Sequence, residues 1–307
     1  MNRATVLTLV QRAIREVRDL ALASLALIAG LFTRLLPERA VVGAVGYLGR
    51  RVGMLIPRYV RIGRRNLTLA YPDKTPEERD AILRDSWENM ARTAAEYFYI
   101  DRIWDYEHGS GKPSRLDLDG IERFIELAHD GKPAIILSAH LGNWELPMVA
   151  AARHGLDATA LYNRPRNRWI ARMVVARRND TMADLIESGP GTLHRLATRL
   201  EAGRHVGMLV DQHYGLGPKI MLFGHQTTGN PIFARLARQI DCPVHAVRVI
   251  RLPAGRFRIE LTPALTLPRD ARGLVDVQAS VQMVADLFEG WIRENPGQWL
   301  WVHRRWR

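Results

Sequence analysis

The sequence predicts an α/β fold, a mixed and partly parallel sheet flanked by helices, behind a helical, membrane-associated N-terminal part. Three observations carry this. Beyond residue 113, short apolar runs alternate with longer stretches of helical periodicity, the pattern of strand–helix units. Before it, the periodicity is helical throughout. Near the N-terminus, LALASLALIAGLF (20–32) passes thirteen residues without a charge. The chain is therefore expected to divide near residue 40. Residues 1–40 would form a membrane-anchoring or interfacial helix, and 41–307 an α/β domain with a helical lead-in over about 41–105.

As a helix the charge-free run spans about 20 Å, against about 30 Å of bilayer hydrocarbon, so a full crossing is marginal. A signal peptide fits poorly, because a long region containing Glu16 and Asp19 precedes the run and no small-residue cleavage site follows it. The preceding VQRAIREVRDL is amphipathic and basic, which suits a helix in a membrane interface. The alternative is a buried helix of a small helical subdomain.

Residues 41–72 read as helical with a turn near Pro57. Thr75-Pro76-Glu77-Glu78 is a capped helix start, with Thr at the cap, Pro next and Glu at the third position. That helix runs to about Ile100, and 109–113 is a loop. Helices are then expected over 121–129, 143–154, 168–178, 192–202, 231–240 and 275–295. Strands are expected over 133–138, 158–162 and 205–210, and over 244–252 and 256–261 around Pro253-Ala254-Gly255.

The formal net charge is +12, and only four of the 44 basic residues are lysines. Such a surface attracts anions: nucleic acid, anionic lipid, phosphorylated substrates or an acidic carrier protein. No nucleic-acid-binding signature accompanies it. A lone cysteine, Cys242, excludes an intramolecular disulfide and fits a reducing compartment. No histidine, cysteine and carboxylate spacing of a zinc site is present, and neither is H-E-x-x-H.

One stretch carries chemistry. In SAHLGNWELP (138–147), His140 precedes Glu145 by five positions. Ten histidines and 32 acids make about one such spacing by chance, and one occurs, so context must decide. His140 lies just past the carboxyl end of an apolar strand, where open α/β sheets place ligands. Gly142 lets the backbone turn and Asn143 can cap the next helix. Glu145 in the first turn would then face the imidazole, fixing its tautomer while it takes a proton from a hydroxyl. The competing reading is a loop histidine and a glutamate that favours a helix N-terminus. No G-x-S-x-G elbow offers a serine nucleophile.

Six blocks in order complete the pattern: YPDKTPEERDAILRDSWENMARTAAEY, SAHLGNWE, YNRPRN, LVDQHYG, LFGHQTTGNPIFARLA and the ending WLWVHRRWR. From about Val41 onward the chain resembles the bacterial lipid A biosynthesis acyltransferases, the late lauroyl and myristoyl transferases. The resemblance implies a glycerolipid-acyltransferase-like fold. It also implies transfer of an acyl chain from an acyl carrier protein thioester to a hydroxyl of a glycolipid precursor, at the cytoplasmic face of the inner membrane. His140 would be the general base and Glu145 its orienting partner, with no covalent intermediate, cofactor or metal. It further carries over Arg178 (or Arg177, one register away) and Asp211 as functional positions. His213 stands where the family has a second acid, and the block at 164–168 lacks the usual proline. The acceptor therefore stays open among a lipid A precursor, a glycerophospholipid, an ornithine-type lipid and a mannolipid.

Arg164, Arg177 and Arg178 are candidates for binding phosphate of the acceptor or of the carrier's phosphopantetheine arm, against the alternative of a solvated basic face. Asp211 and Gln212 end an apolar strand at the same sheet edge, with Tyr214 beside them. Thr227 and Thr228 are either substrate contacts or caps before the 231–240 helix. The aromatic and arginine tail suits a final strand with Arg304 and Arg305 near the site or lipid headgroups, with His303 structural. Stacking on nucleic acid is the rival reading.

Overall fold

A computed structural model describes residues 16–21, 24, 35–162, 167, 169, 172 and 184–307. Most of the charge-free run and of the helix expected over 168–178 lie outside the described residues. No helix among the described residues is long and apolar enough to cross a membrane.

The lead-in is three helices, α1 (Glu38–Val52), α2 (Pro57–Ala70) and α3 (Pro76–Glu96), with a short α4 (Ile100–Ile103). Helix α3 begins on the expected capping box: Thr75 Oγ1 accepts from the Glu78 backbone N–H at 3.2 Å, and the Glu78 side chain accepts from the Thr75 N–H at 2.7 Å. Helix α1 reaches α3 through its glycines. A Cβ at Gly49 would meet Ala91 at 2.2 Å, and one at Gly53 would meet Trp87 at 2.2 Å.

The main sheet has seven strands in the order β1-β9-β8-β2-β5-β3-β4. These are β1 (Leu116–Asp119), β2 (Ile135–Ser138), β3 (Ala158–Tyr162), β4 (Asp184–Glu187), β5 (His205–Leu209), β8 (Val244–Leu252) and β9 (Arg256–Leu261). All pairs are parallel except β8 with β9, which the short Pro253–Gly255 turn joins as a hairpin. Helices α5 (Ile121–His129), α6 (Leu146–Arg153), α7 (Thr192–Glu201), α8 (Ile232–Gln239) and α9 (Val277–Glu294) cover it. The sheet is therefore mixed and mostly parallel, with helices on both faces.

All four residues of β2 are buried, as a central strand of a covered sheet requires. Ile135 and Leu137 join the core beneath α7, α8 and α9. Ile136 joins the core of the opposite face, with Phe124, Leu146 and Tyr99. Residues of α2 and α3, Leu67 and Leu83 among them, belong to the first of these cores.

Four strands were not expected. β1 and β4 sit at the sheet edges and are four residues long, too short for a periodic signal. β6 (Lys219–Leu222) and β7 (His225–Thr228) form a separate hairpin turning through Phe223 and Gly224, both at positive φ. Thr227 and Thr228 thus lie in a strand instead of capping α8. The tail 299–307 forms no final strand; one bridge, Leu141 with Trp299, is its contact with the sheet edge. Side chains from α2 and α3 satisfy its backbone instead: Asn66 donates to the Trp301 carbonyl at 2.7 Å and Ser86 to the Trp299 carbonyl at 2.5 Å.

Candidate active site

Parallel pairing of β2 with β5 sets Ser138 opposite Leu209. Two residues further along each chain are His140 and Asp211, both past the carboxyl edge of the sheet. They meet there. His140 Nδ1 lies 2.7 Å from Asp211 Oδ1, and the His140 backbone N–H donates to Asp211 Oδ2 at 3.0 Å. The Trp299 indole N–H donates to the same Oδ2 at 2.8 Å. A carboxylate at Nδ1 puts the proton on that nitrogen and leaves the Nε2 lone pair as the basic site. Gln212 Nε2 sits 3.3 Å from it.

The electrostatics follow from burial and charge. Burial alone would pull the imidazole pKa down. The Asp211 charge and hydrogen bond, and then the Glu145 charge, outweigh it, so the His140 pKa is raised. Burial would likewise raise Asp211, yet the charge and hydrogen bonds of His140 and the Trp299 N–H hold its carboxyl well below the usual carboxylate range. His303 accepts from the His213 backbone N–H at 3.2 Å, and burial pushes its pKa down to about 4, so it stays neutral.

Of the two acids near His140, it is Asp211 that sits at Nδ1, because strand register brings it alongside. Glu145 comes after a turn, at the foot of α6, where its backbone N–H donates to Asn143 Oδ1 at 3.2 Å. It acts on His140 as a second negative charge and lines the same cavity.

The turn between them is pinned from below. Gly142 has φ of 60°, and a Cβ there would meet the Val249 carbonyl oxygen at 2.1 Å, so no other residue fits. Its carbonyl accepts from Asn89 at 3.0 Å and Thr93 at 3.1 Å. Asn143 donates to Glu96 at 2.8 Å, and Glu96 is paired with Arg251, which also donates to Asn89 at 2.9 Å. Glu96, Arg251 and Trp299 escaped the sequence reading. The one local signal was an acid inside the apolar run TAAEYFYI.

A cavity of about 630 Å³ opens beside His140. Its polar lining includes His140, Glu145 and Gln212, and its apolar lining includes Phe124, Leu156 and Ile259. Small residues on the sheet face make room for it: Ala158 and Ala160 on β3 and Gly207 on β5. The volume is that of a small-molecule or single-chain ligand site. No cluster of metal-ligating side chains occurs among the described residues.

His140, Glu145, Asp211 and Gln212 are thus brought together. Arg304 is not. It is exposed, and the buried arginine is Arg305, whose guanidinium donates to Thr227 Oγ1 at 2.9 Å and to the Thr228 carbonyl at 2.8 Å. Burial lowers its pKa to about 10, so it remains a cation. Thr228 Oγ1 lies 3.0 Å from His213 Nδ1. Arg164, Arg177 and Arg178 lie outside the described residues.

Comparison with known proteins adds a family. The profile described as "Bacterial lipid A biosynthesis acyltransferase" matches residues 11–307. The chain is 23% identical to the lipid A biosynthesis palmitoleoyltransferase of Escherichia coli (strain K12) over 288 residues, covering 85% of this chain and 84% of that one. A lipid A biosynthesis acyltransferase of Shigella flexneri matches with the same identity and coverage. A second from that organism, lipid A biosynthesis acyltransferase 2, is 27% identical over 120 residues, 39% of this chain and 37% of its own.

Proposed function

The chain belongs to the bacterial lipid A biosynthesis acyltransferase family, and on that premise we propose that it moves a fatty acyl chain from an acyl carrier protein thioester to a hydroxyl of a lipid A precursor. The observation that carries the mechanism is the Asp211–His140 bond, which leaves Nε2 as the base beside an apolar cavity.

In this reading the acyl chain lies along the faces of β2, β3 and β5, with its thioester carbonyl next to His140. The acceptor hydroxyl takes the place of the Gln212 amide at Nε2. His140 removes the hydroxyl proton as the oxygen attacks the thioester carbonyl carbon. Asp211, bonded at Nδ1, stabilises the imidazolium, as a buried carboxylate does in hydrolase triads. The tetrahedral intermediate then expels the carrier thiolate, which takes the proton back from Nε2. The C–S bond breaks, the ester C–O bond forms, and no acyl-enzyme is required.

Glu145 adds negative charge that favours the protonated imidazole. The positive balance of +12 suits both an acidic carrier protein and anionic lipid, and so a position at the cytoplasmic face of the inner membrane.

The test is acyl transfer by the purified full chain, wild type beside His140→Ala, with labelled acyl carrier protein as donor and a lipid A precursor as acceptor, read by product mass. A gain of one acyl mass that disappears in the variant is expected. Undiminished transfer by His140→Ala would remove the base. Thioester turnover without product on that acceptor would keep the chemistry and redirect the acceptor to another lipid.

A further inference from the structure

We propose that the outer face of α1, with the turn after it and the start of α2, is a docking surface for an anionic phospholipid bilayer. The inference rests on the reading of the chain as an enzyme that works at a lipid surface.

Apolar side chains are turned outward here more than anywhere else in the described chain. Eight of the thirteen exposed large hydrophobic residues fall between Leu35 and Tyr59. Leu55 is 76% exposed and Leu48 56%. Three of the eight, Tyr47, Leu48 and Val52, lie on one side of α1, and Leu55, Ile56 and Tyr59 follow in the turn after it and the start of α2. Ala40, Ala44, Tyr47, Leu48, Arg51 and Val52 recur at helical spacing on the side away from α3, and Val42, Gly46, Gly49 and Gly53 take the side against it. Helix α1 is thus apolar on both sides, and among the described residues only one side has a partner.

Charge says what fits the other. From Arg39 to Pro72 there are seven arginines and no acid. Arg50 and Arg64 reach acids of α3. Arg39, Arg51, Arg58, Arg61 and Arg65 are exposed and form no ion pair among the described residues. Arg51 lies over the Tyr47 ring and Arg58 over Tyr59, cations beside amphipathic aromatics. An apolar centre, a cationic rim and tyrosines between them match acyl chains beneath phosphate headgroups. A second copy of this face would set arginine against arginine, and a soluble acidic partner would leave the leucines uncovered.

The test uses the full chain carrying Cys242→Ser, with a polarity-sensitive dye on Leu48→Cys, on Leu55→Cys or, for comparison, on the exposed loop residue Ala271→Cys. Each protein is mixed with vesicles of phosphatidylethanolamine and phosphatidylglycerol and then pelleted. Emission at positions 48 and 55 should shift to the blue in the pellet, while position 271 stays in water. Arg51→Glu with Arg58→Glu should lower vesicle partitioning at least tenfold, since each surface arginine contributes about a fivefold factor at low salt.

Pelleted protein whose labels at 48 and 55 stay in water would overturn the proposal. So would equal shifts at all three positions, or a failure to pellet. Blue emission at 48 and 55 before vesicles are added would overturn it too, by assigning the face to the chain itself or to a second copy. Acyl transfer to a detergent-dispersed acceptor, measured on the same proteins, is a separate readout. Its absence, with no thioester turnover and with normal shifts, would sink the enzymatic reading and leave the docking surface standing.

Discussion

Asp211 holds Nδ1 of His140 at 2.7 Å across 71 residues of sequence, and the parallel register of β2 with β5 is what brings them together. The imidazole is therefore oriented by a rigid sheet edge. Asp211→Asn keeps the shape and an acceptor for the Trp299 N–H but removes the charge facing the imidazolium. It should lower kcat/KM by about 10²- to 10⁴-fold, the range for general-base machinery. Glu145→Gln should cost less, because Glu145 acts on His140 by charge and not at Nδ1. Steady-state kinetics on the two folded variants decide it, and a larger loss in Glu145→Gln would return the orienting role to Glu145.

The same bond fixes a pH dependence. In the proposed mechanism His140 must be neutral to act, and Asp211 and Glu145 raise its pKa, so it stays protonated to higher pH than an ordinary histidine. The kcat/KM of the wild type should rise with pH through a midpoint above about 6.5. Removing the Asp211 charge lowers the His140 pKa, so Asp211→Asn should move that midpoint to lower pH. His303, at about 4, is already neutral across this range and adds nothing to the limb. Identical midpoints in the two proteins would take Asp211 out of contact with the base during turnover.

How much of this was legible in the sequence differs by element. The apolar runs of β2, β3, β5, β8 and β9 and the capping box of α3 announce themselves, because burial and capping leave local patterns. The edge strand β1, LDLD, does not, since only one of its four residues is fully buried. His140 was legible from its place after a strand. Its partner was not, because strand pairing is non-local and a spacing rule sees only neighbours such as Glu145. The tail misled for a similar reason: Arg304 and Arg305 are adjacent in an irregular segment, and contact with Thr227 in β7 decides which is buried.

Cavity volume depends on the missing side chain at Gly207. A Cβ there would come within 3.3 Å of the Met148 sulfur, and a longer side chain would enter the cavity between β3 and α6. Gly207→Val should therefore lower kcat/KM about tenfold for a donor that fills the cavity and little for one shorter by a few carbons. Each buried methylene denied its place costs about 0.8 kcal/mol, roughly a fourfold factor. Competition between donors of different length, read by product mass, checks it. Equal losses for short and long donors would mean that the acyl chain lies elsewhere.

The pinning of Gly142 and Asn143 to α3 yields a prediction that separates stability from catalysis. Glu96 is buried and Arg251 nearly so, and they are paired. Glu96→Ala strands a buried guanidinium and should destabilise the fold by about 3–5 kcal/mol, the cost of breaking such a pair from one side. Replacing both partners, Glu96→Leu with Arg251→Met, removes the uncompensated charge and should restore most of the melting temperature. It does not restore the bond from Asn143 to Glu96 or the fixed position of Asn89 under the Gly142 carbonyl. The turn carrying His140 toward α6 should then sit less firmly, and misplacement of about 1 Å costs up to about 10²-fold in rate. The double variant should thus melt near wild type yet turn over at least tenfold more slowly, with KM for the donor little changed. Recovery of both melting temperature and kcat would confine the Glu96–Arg251 pair to holding the fold.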